Sequence, residues 1–176
     1  MVAYDGERTE DDYFRGWKLV IPPSRLSLES LYIKSGGSAL KAVEAAVKRK
    51  RRFKDYAEFW CVCDVDDTSS DDVARAQELA RVNDIKLCLS NRCFEVWILL
   101  HYEFSGAAIC NEKDAIDRVG KHCPDYGNPY KTLAFHELLP NTEIAIDNAV
   151  KLQAANPSNP MTLVHHLVRK LKQNCV

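Results

Sequence analysis

The sequence contains no CxxC pair, although it holds seven cysteines. The commonest sequence signature of a zinc or dithiol redox site is therefore missing. The count is odd, and Cys61, Cys63, Cys88 and Cys93 lie within apolar segments. That pattern points to reduced, buried thiols acting as small hydrophobes, as in a cytosolic protein. Long apolar runs are absent as well. Val96 to Leu100 falls far short of the roughly 20 residues a membrane helix needs. No charged-then-apolar leader opens the chain, and the expected location is cytoplasmic. Neither sign of charge dominates: 24 basic residues face 25 acidic ones, for a formal net charge of −1. A molecule-wide attraction to nucleic acid is thereby excluded, but a local basic groove is not. Internal repeats and low-complexity tracts are also lacking.

What is present suits one folded domain. The chain has 176 residues, 46% of them apolar and 28% charged, enough to bury a core without staples. Met1 to Asp5 reads as a strand, followed by a turn at Gly6 and a helix capped at Thr9 with Tyr13, Phe14 and Trp17 on its apolar side. Lys18 to Ile21 reads as a second strand stopped by Pro22 and Pro23. Ser35 to Ser38 reads as a turn and helix start, and Leu40, Val43, Ala46 and Val47 repeat at helical spacing up to about Arg52. Phe59 to Asp64 is apolar on both faces, which predicts a central strand covered on both sides. A helix over Asp71 to Asn83 and a strand over Ile85 to Leu89 follow, and Ser90 and Asn91 open an apolar helix through Leu100. This alternation predicts a mostly parallel α/β sheet flanked by helices over residues 1–104. Residues 105–176 read as a mainly helical cap on the same domain. Its helices are expected over Glu112 to Lys121, over Thr142 to Ala155 (with Ile144, Ile146, Ala149, Val150 and Leu152 apolar) and over Met161 to Lys172. A loop is expected over Cys123 to Pro129 and a linker over Asn156 to Pro160.

Ligands of open α/β sheets sit outside the carboxyl ends of the strands. Acidic residues gather there in this sequence. The first strand leads into Asp5-Gly6-Glu7-Arg8-Thr9-Glu10, and the Phe59 strand leads into Asp64-Val65-Asp66-Asp67. Carboxylates brought together from two strand ends repel each other and resist ionising unless a cation neutralises them. Magnesium accepts such oxygen ligands, keeps waters for substrate phosphates and activates one of them. Acids near helix starts are also ordinary caps, and Asp67, Asp71 and Asp72 fit that description.

Several of these segments together resemble the RloB-like family. Gly6-Glu7-Arg8-Thr9-Glu10 with Tyr13-Phe14 is similar to the family's EGxxTExxYF opening. Trp60-Cys61-Val62-Cys63-Asp64-Val65-Asp66-Asp67 resembles its apolar strand ending in DxDD. Ser90-Asn91-Arg92-Cys93-Phe94-Glu95-Val96-Trp97-Ile98-Leu99-Leu100-His101 resembles its SNPCFExWLLLH block, with Arg92 where proline is usual. Tyr130-Lys131, Pro160-Met161-Thr162 and Leu167-Val168 resemble later elements. The resemblance implies a Toprim-like fold, a place in bacterial anti-phage defence, and metal-dependent cleavage of RNA, transfer RNA included, or of DNA. It implies Asp64 and Asp66 as the metal-holding pair, together with Asp5 where the family has glutamate, and Mg2+ or Mn2+ as the ion. Aspartate is one methylene shorter than glutamate. Weakened chemistry, or metal binding by Glu7 or Glu10 instead, also follows from that change.

Other residues complete the candidate set. Glu10 is a possible ligand or base. Glu95 sits in an otherwise apolar helix, where a buried carboxylate needs a partner or a task, and Asn91 four residues earlier shares that helical face. His101 ends the same helix, where it complements the dipole or serves the site. Lys131 follows a Gly-Asn-Pro-Tyr loop and by resemblance contacts phosphate. His165 and His166 read as structural or surface residues. Lys48, Arg49, Lys50, Arg51 and Arg52, followed by Lys54, form a basic run suited to a phosphate backbone. A weaker basic cluster is Arg169, Lys170 and Lys172. Two rivals to the nuclease remain. One is a non-catalytic nucleic-acid-binding or regulatory subunit, and the other is a phosphatase or phosphotransferase with Asp64 as nucleophile.

Overall fold

The computed structural model describes residues 1–34, 38–65, 68–127, 132–155 and 157–175. In chain order its elements are β1 (Val2–Tyr4), α1 (Thr9–Val20), β2 (Ser30–Tyr32), α2 (Ala39–Arg52), β3 (Trp60–Asp64), α3 (Ser70–Val82), β4 (Lys86–Asn91) and α4 (Glu95–Leu99). They continue with α5 (Glu112–Gly120), α6 (Phe135–Leu138), a single 3-10 turn, α7 (Thr142–Ala155), β5 (Met161–Thr162) and α8 (Val164–Lys172). Among the described residues, five strands form one sheet in the order β2-β1-β3-β4-β5. The first four run parallel, and β5 pairs antiparallel to the end of β4. This is the mostly parallel α/β arrangement of a Toprim-like fold.

The period of two along each strand builds two cores. Val2, Tyr4, Val62 and Cys88 face a layer that includes residues of α1, α4, α7 and α8. Ala3, Cys61, Cys63 and Leu89 face α2 and α3. β3 is central because both of its faces are apolar, and Cys61, Val62 and Cys63 are fully buried. All seven cysteines are free thiols, the four in apolar segments being buried as expected. Helix starts follow short polar side chains: Ser38, Ser69 and Asn111 accept hydrogen bonds from the backbone N–H groups of Lys41, Asp72 and Asp114.

The structure corrects several sequence expectations. Lys18 to Ile21 is not a strand: α1 runs to Val20, and Leu19 is 87% exposed. Tyr13, Phe14, Trp17 and Ile21 form one buried helical stripe, and Ile21 turns extended because Pro22 follows it. The edge strand β2 has three half-buried residues and lacks the alternation that announces a strand. β4 extends through Ser90 and Asn91, because Thr162 and Met161 pair with those two residues. The apolar helix therefore starts only at Glu95, and the closing segment is a short strand before α8 rather than one helix. In α7, Ile144 and Val150 are exposed, whereas Asn148 is buried and donates to the Leu100 carbonyl at 2.9 Å. No helix among the described residues is long and apolar enough to cross a membrane.

Parallel strands give the sheet two unlike rims. Asp5, Asp64 and the segment after Asn91 stand at the carboxyl rim. Helices α2 and α3 end at the opposite, amino rim, since each leads into the next strand.

Gly16 measures how tightly α1 is packed. A Cβ there would overlap the Phe135 side chain, including its own Cβ. In an open helix Gly→Ala gains about 1 kcal/mol, whereas overpacking costs about 1–3 kcal/mol. Gly16→Ala is therefore expected to destabilise the protein, read as a lower urea midpoint with an unchanged slope.

Candidate active site

The carboxyl rim opens into a cleft of about 290 Å³ whose walls come from three separate parts of the sheet edge. Gly6 to Glu10 follow β1, Asp64 ends β3, and Cys93 and Glu95 follow β4. Glu112, the first residue of α5, closes a further side. The cleft is thus lined by Glu7, Glu10, Asp64, Glu95 and Glu112, with Arg8 as the guanidinium among them.

Two buried thiols feel the charge of these acids. The Cys63 thiol is pushed up by its contact with Cys61 and by burial, and then by the charges of both Asp5 and Asp64. The Cys93 thiol is pushed up by burial and then by Glu95 and Asp64. The strand order places Asp64, at the end of β3, between the segment that follows β1 and the segment that follows β4.

Glu10 and Glu95 are both only 4% exposed. Glu10 lies in the first turn of α1, where the helix dipole favours a negative charge. Its carboxylate packs against the backbone of Gly6, and a Cβ at that position would overlap it. Glycine is needed here for this close approach. Glu95 is held by a chain that sequence reasoning missed. The Tyr126 hydroxyl meets Glu95 Oε1 at 2.7 Å and Thr9 Oγ1 at 2.8 Å, all three groups being buried. An ionised Glu95 only accepts, so Tyr126 donates to it and Thr9 donates to Tyr126. Burial first, and then the charge of Glu95 and its hydrogen bond, keep the Tyr126 hydroxyl protonated; Glu10 adds to the same field. Nothing in the local pattern flags Tyr126, which sits in a turn and reaches Glu95 across 31 residues of chain. Glu112 likewise reads in sequence as an ordinary helix-start acid.

The other sequence candidates are not among the residues that line the cleft. Asp66, its neighbour Asp67 and Lys131 lie outside the described residues. Asn91 does not share a helical face with Glu95: it ends β4, and its side chain donates to the Ser158 carbonyl at 2.6 Å. His101 does not reach the cleft. It is 1% exposed among Tyr13 and Trp97, its Nδ1 lies 3.0 Å from the Trp97 carbonyl, and burial lowers its pKa to about 4. It acts as a neutral core residue. His165 is fully buried and also lowered to about 4, by burial first and then by the charges of His166 and Arg169, which fits its structural assignment. The run Lys48 to Arg52 stands at the amino rim, so it does not adjoin the acidic cleft as expected. Lys50 there bonds to Asn83 and Asp84 at the turn before β4.

A divalent cation suits the donor chemistry at the carboxyl rim. The side chains are hard carboxylate oxygens, and among the described residues no three His, Cys, Asp or Glu side chains form a closed ligand set. Magnesium needs no such cage: one or two carboxylates with waters and substrate phosphates are its usual shell. Asp64 lines the cleft, whereas Asp5, which follows β1 at the same rim, is not among the lining residues.

The family model described as RloB-like protein matches residues 1–171. No curated protein and no solved structure matches the chain.

The Thr9–Tyr126–Glu95 chain has a measurable consequence. Removing a donor from a buried carboxylate costs about 1.5–3 kcal/mol. Tyr126→Phe is expected to lose about that much stability in urea denaturation. Combined with Glu95→Leu, its further cost should be much smaller, since no charge is then left without its donor.

Proposed function

The chain belongs to the RloB-like protein family, and from that membership and the acidic cleft we propose that it is a divalent-metal-dependent nuclease. Its substrate is RNA, transfer RNA included, or DNA, and its setting is bacterial anti-phage defence. The observation that carries this reading is the meeting of carboxylates from three separate strand-end segments around Asp64.

In this reading Asp5, Asp64 and Asp66 hold Mg2+ or Mn2+, Asp66 being included by its resemblance to the family pattern. Such an ion, when bound, would supply charge neutralisation and Lewis-acid activation of water. Glu10, buried and pinned against Gly6, takes the proton of the attacking water. The water oxygen bonds to phosphorus, the bond from phosphorus to the leaving sugar oxygen breaks, and that oxygen takes up a proton from solvent. Arg8, on the cleft wall, faces the phosphate oxygens and offsets the charge that develops on them. Glu95 completes the acidic wall, oriented by Tyr126 and Thr9. Lys131 is assigned to phosphate contact by resemblance.

One observation favours a second reading. Asp5 stands where the family has glutamate, which reduces the reach of a metal ligand and suits a non-catalytic nucleic-acid-binding or regulatory subunit. Incubation of the purified protein with labelled RNA and DNA separates the two. The nuclease is expected to cleave with Mn2+, to stop when EDTA is added, and to lose at least a hundredfold in rate on Asp64→Ala. Binding of either polymer with no cleavage at any Mn2+ concentration would favour the subunit.

A further inference from the structure

The amino rim carries a second feature, which the cleft chemistry does not use. Helix α2 ends there in Lys48-Arg49-Lys50-Arg51-Arg52, and Phe53 and Lys54 follow. Lys50 serves the fold. Its Nζ donates to the Asn83 carbonyl at 2.9 Å and to that of Asp84, and it pairs with the Asp84 carboxylate at 3.1 Å. The other cations are arranged differently. Lys48, Arg51, Arg52 and Lys54 are exposed, and among the described residues none of them has an acidic partner. Phe53 is 37% exposed, and the Arg52 guanidinium lies over its ring, 5.9 Å from the centroid.

Completing the dipole of α2 needs a cation or two in its last turn, and Lys50 and Arg49 already stand there. Four further like charges within seven residues repel one another and bring no packing. A patch of unpaired cations around an exposed aromatic ring has the composition of a single-strand platform, with charges for the backbone and a π-face for a base. Membrane docking is disfavoured, because the apolar residues of α2, Ala42, Val43, Ala46 and Val47, are buried against the sheet and leave no face to insert.

We propose that Lys48, Arg51, Arg52 and Lys54, with Phe53, form an anchoring site for the phosphate backbone of single-stranded nucleic acid on the rim opposite the cleft. The choice of nucleic acid over an acidic protein rests on the phosphodiester reading of the cleft. The two sites are separated by the length of the sheet. β3 has five residues, and at about 3.3 Å per residue it spans about 17 Å. A strand held at the anchor reaches the cleft only if it is long enough to pass around the sheet edge. The anchor therefore selects long single-stranded substrates over fragments of a few nucleotides.

The test measures binding of the full chain, in EDTA, to a fluorescent single-stranded RNA of about 20 nucleotides, a length set to exceed one platform. Affinity is expected to fall with salt with a log–log slope of about −3, for four backbone contacts at about −0.7 each. Arg51→Glu with Arg52→Glu, and separately Lys48→Glu with Lys54→Glu, should each weaken binding at least tenfold and flatten that slope. Phe53→Ala should weaken it at least about fivefold. Unchanged circular dichroism and melting identify folded variants, and two disjoint charge pairs guard against the loss of one. Wild-type affinity in both charge-reversed pairs would overturn the proposal. So would failure of the protein to bind RNA at low salt, or preference for a polyglutamate or an anionic vesicle over RNA. Because no metal is present, the outcome is independent of cleavage. Binding without nuclease activity would sink the cleft reading and leave the anchor, and cleavage untouched by the rim variants would do the reverse.

Discussion

Several carboxylates of like charge converge at the carboxyl rim, and the fold holds them there by specific local contacts. Asp5 and Asp64 lie close enough for both to act on Cys63, and Asp64 and Glu95 both act on Cys93. In a partly buried cleft such charges are poorly screened. The fold holds them by local means. Glu10 is placed in the first turn of a helix and seated on a glycine with no side chain to displace it. Glu95 receives a hydrogen bond from a tyrosine hydroxyl kept protonated by burial. These contacts hold the two acids in place.

The sheet makes this convergence possible. β1, β3 and β4 run parallel, so their carboxyl ends arrive at one rim, with β3 and its fully buried centre between the other two. Short β5 adds an antiparallel edge at Ser90 and Asn91, and its buried Thr162 lies 3.0 Å from the Ser90 hydroxyl. That pairing keeps the end of β4 in the sheet up to the turn that delivers Glu95. The same parallel arrangement sends the ends of α2 and α3 to the other rim. Acidic groups therefore collect at one end of the molecule, and the basic end of α2 stands at the other.

How much of this is legible in the sequence depends on whether the cause is local. The Trp60–Asp64 strand could be read directly, because apolar residues on both faces mark a central parallel strand and the acid that ends it marks the rim. Glu95 could be singled out as a carboxylate unusual in an apolar segment, and Gly6 and Glu10 as part of the acidic stretch that follows the first strand. Tyr126 could not, since its contacts with Thr9 and Glu95 come from chain reversals far apart in sequence. The strand expected over Lys18 to Ile21 failed because the tail of an amphipathic helix imitates a short alternating strand when prolines follow. β2 and β5 were missed because two- and three-residue edge strands depend on their partners rather than on their own pattern. The basic run was expected beside the acidic cleft, and its distance from it follows from helix direction, which the alternation alone does not convey.

The most direct test of the central claim is the thermal midpoint of the wild type and of Asp64→Asn, each with and without Mn2+. Removing one charge from a repelling cluster should raise the midpoint in the absence of metal. Mn2+ at about a hundred times its dissociation constant should add about 2.7 kcal/mol to the wild type, a shift of several degrees, and little to Asp64→Asn. A wild type indifferent to Mn2+, with an Asp64→Asn variant less stable than it in EDTA, would contradict the claim.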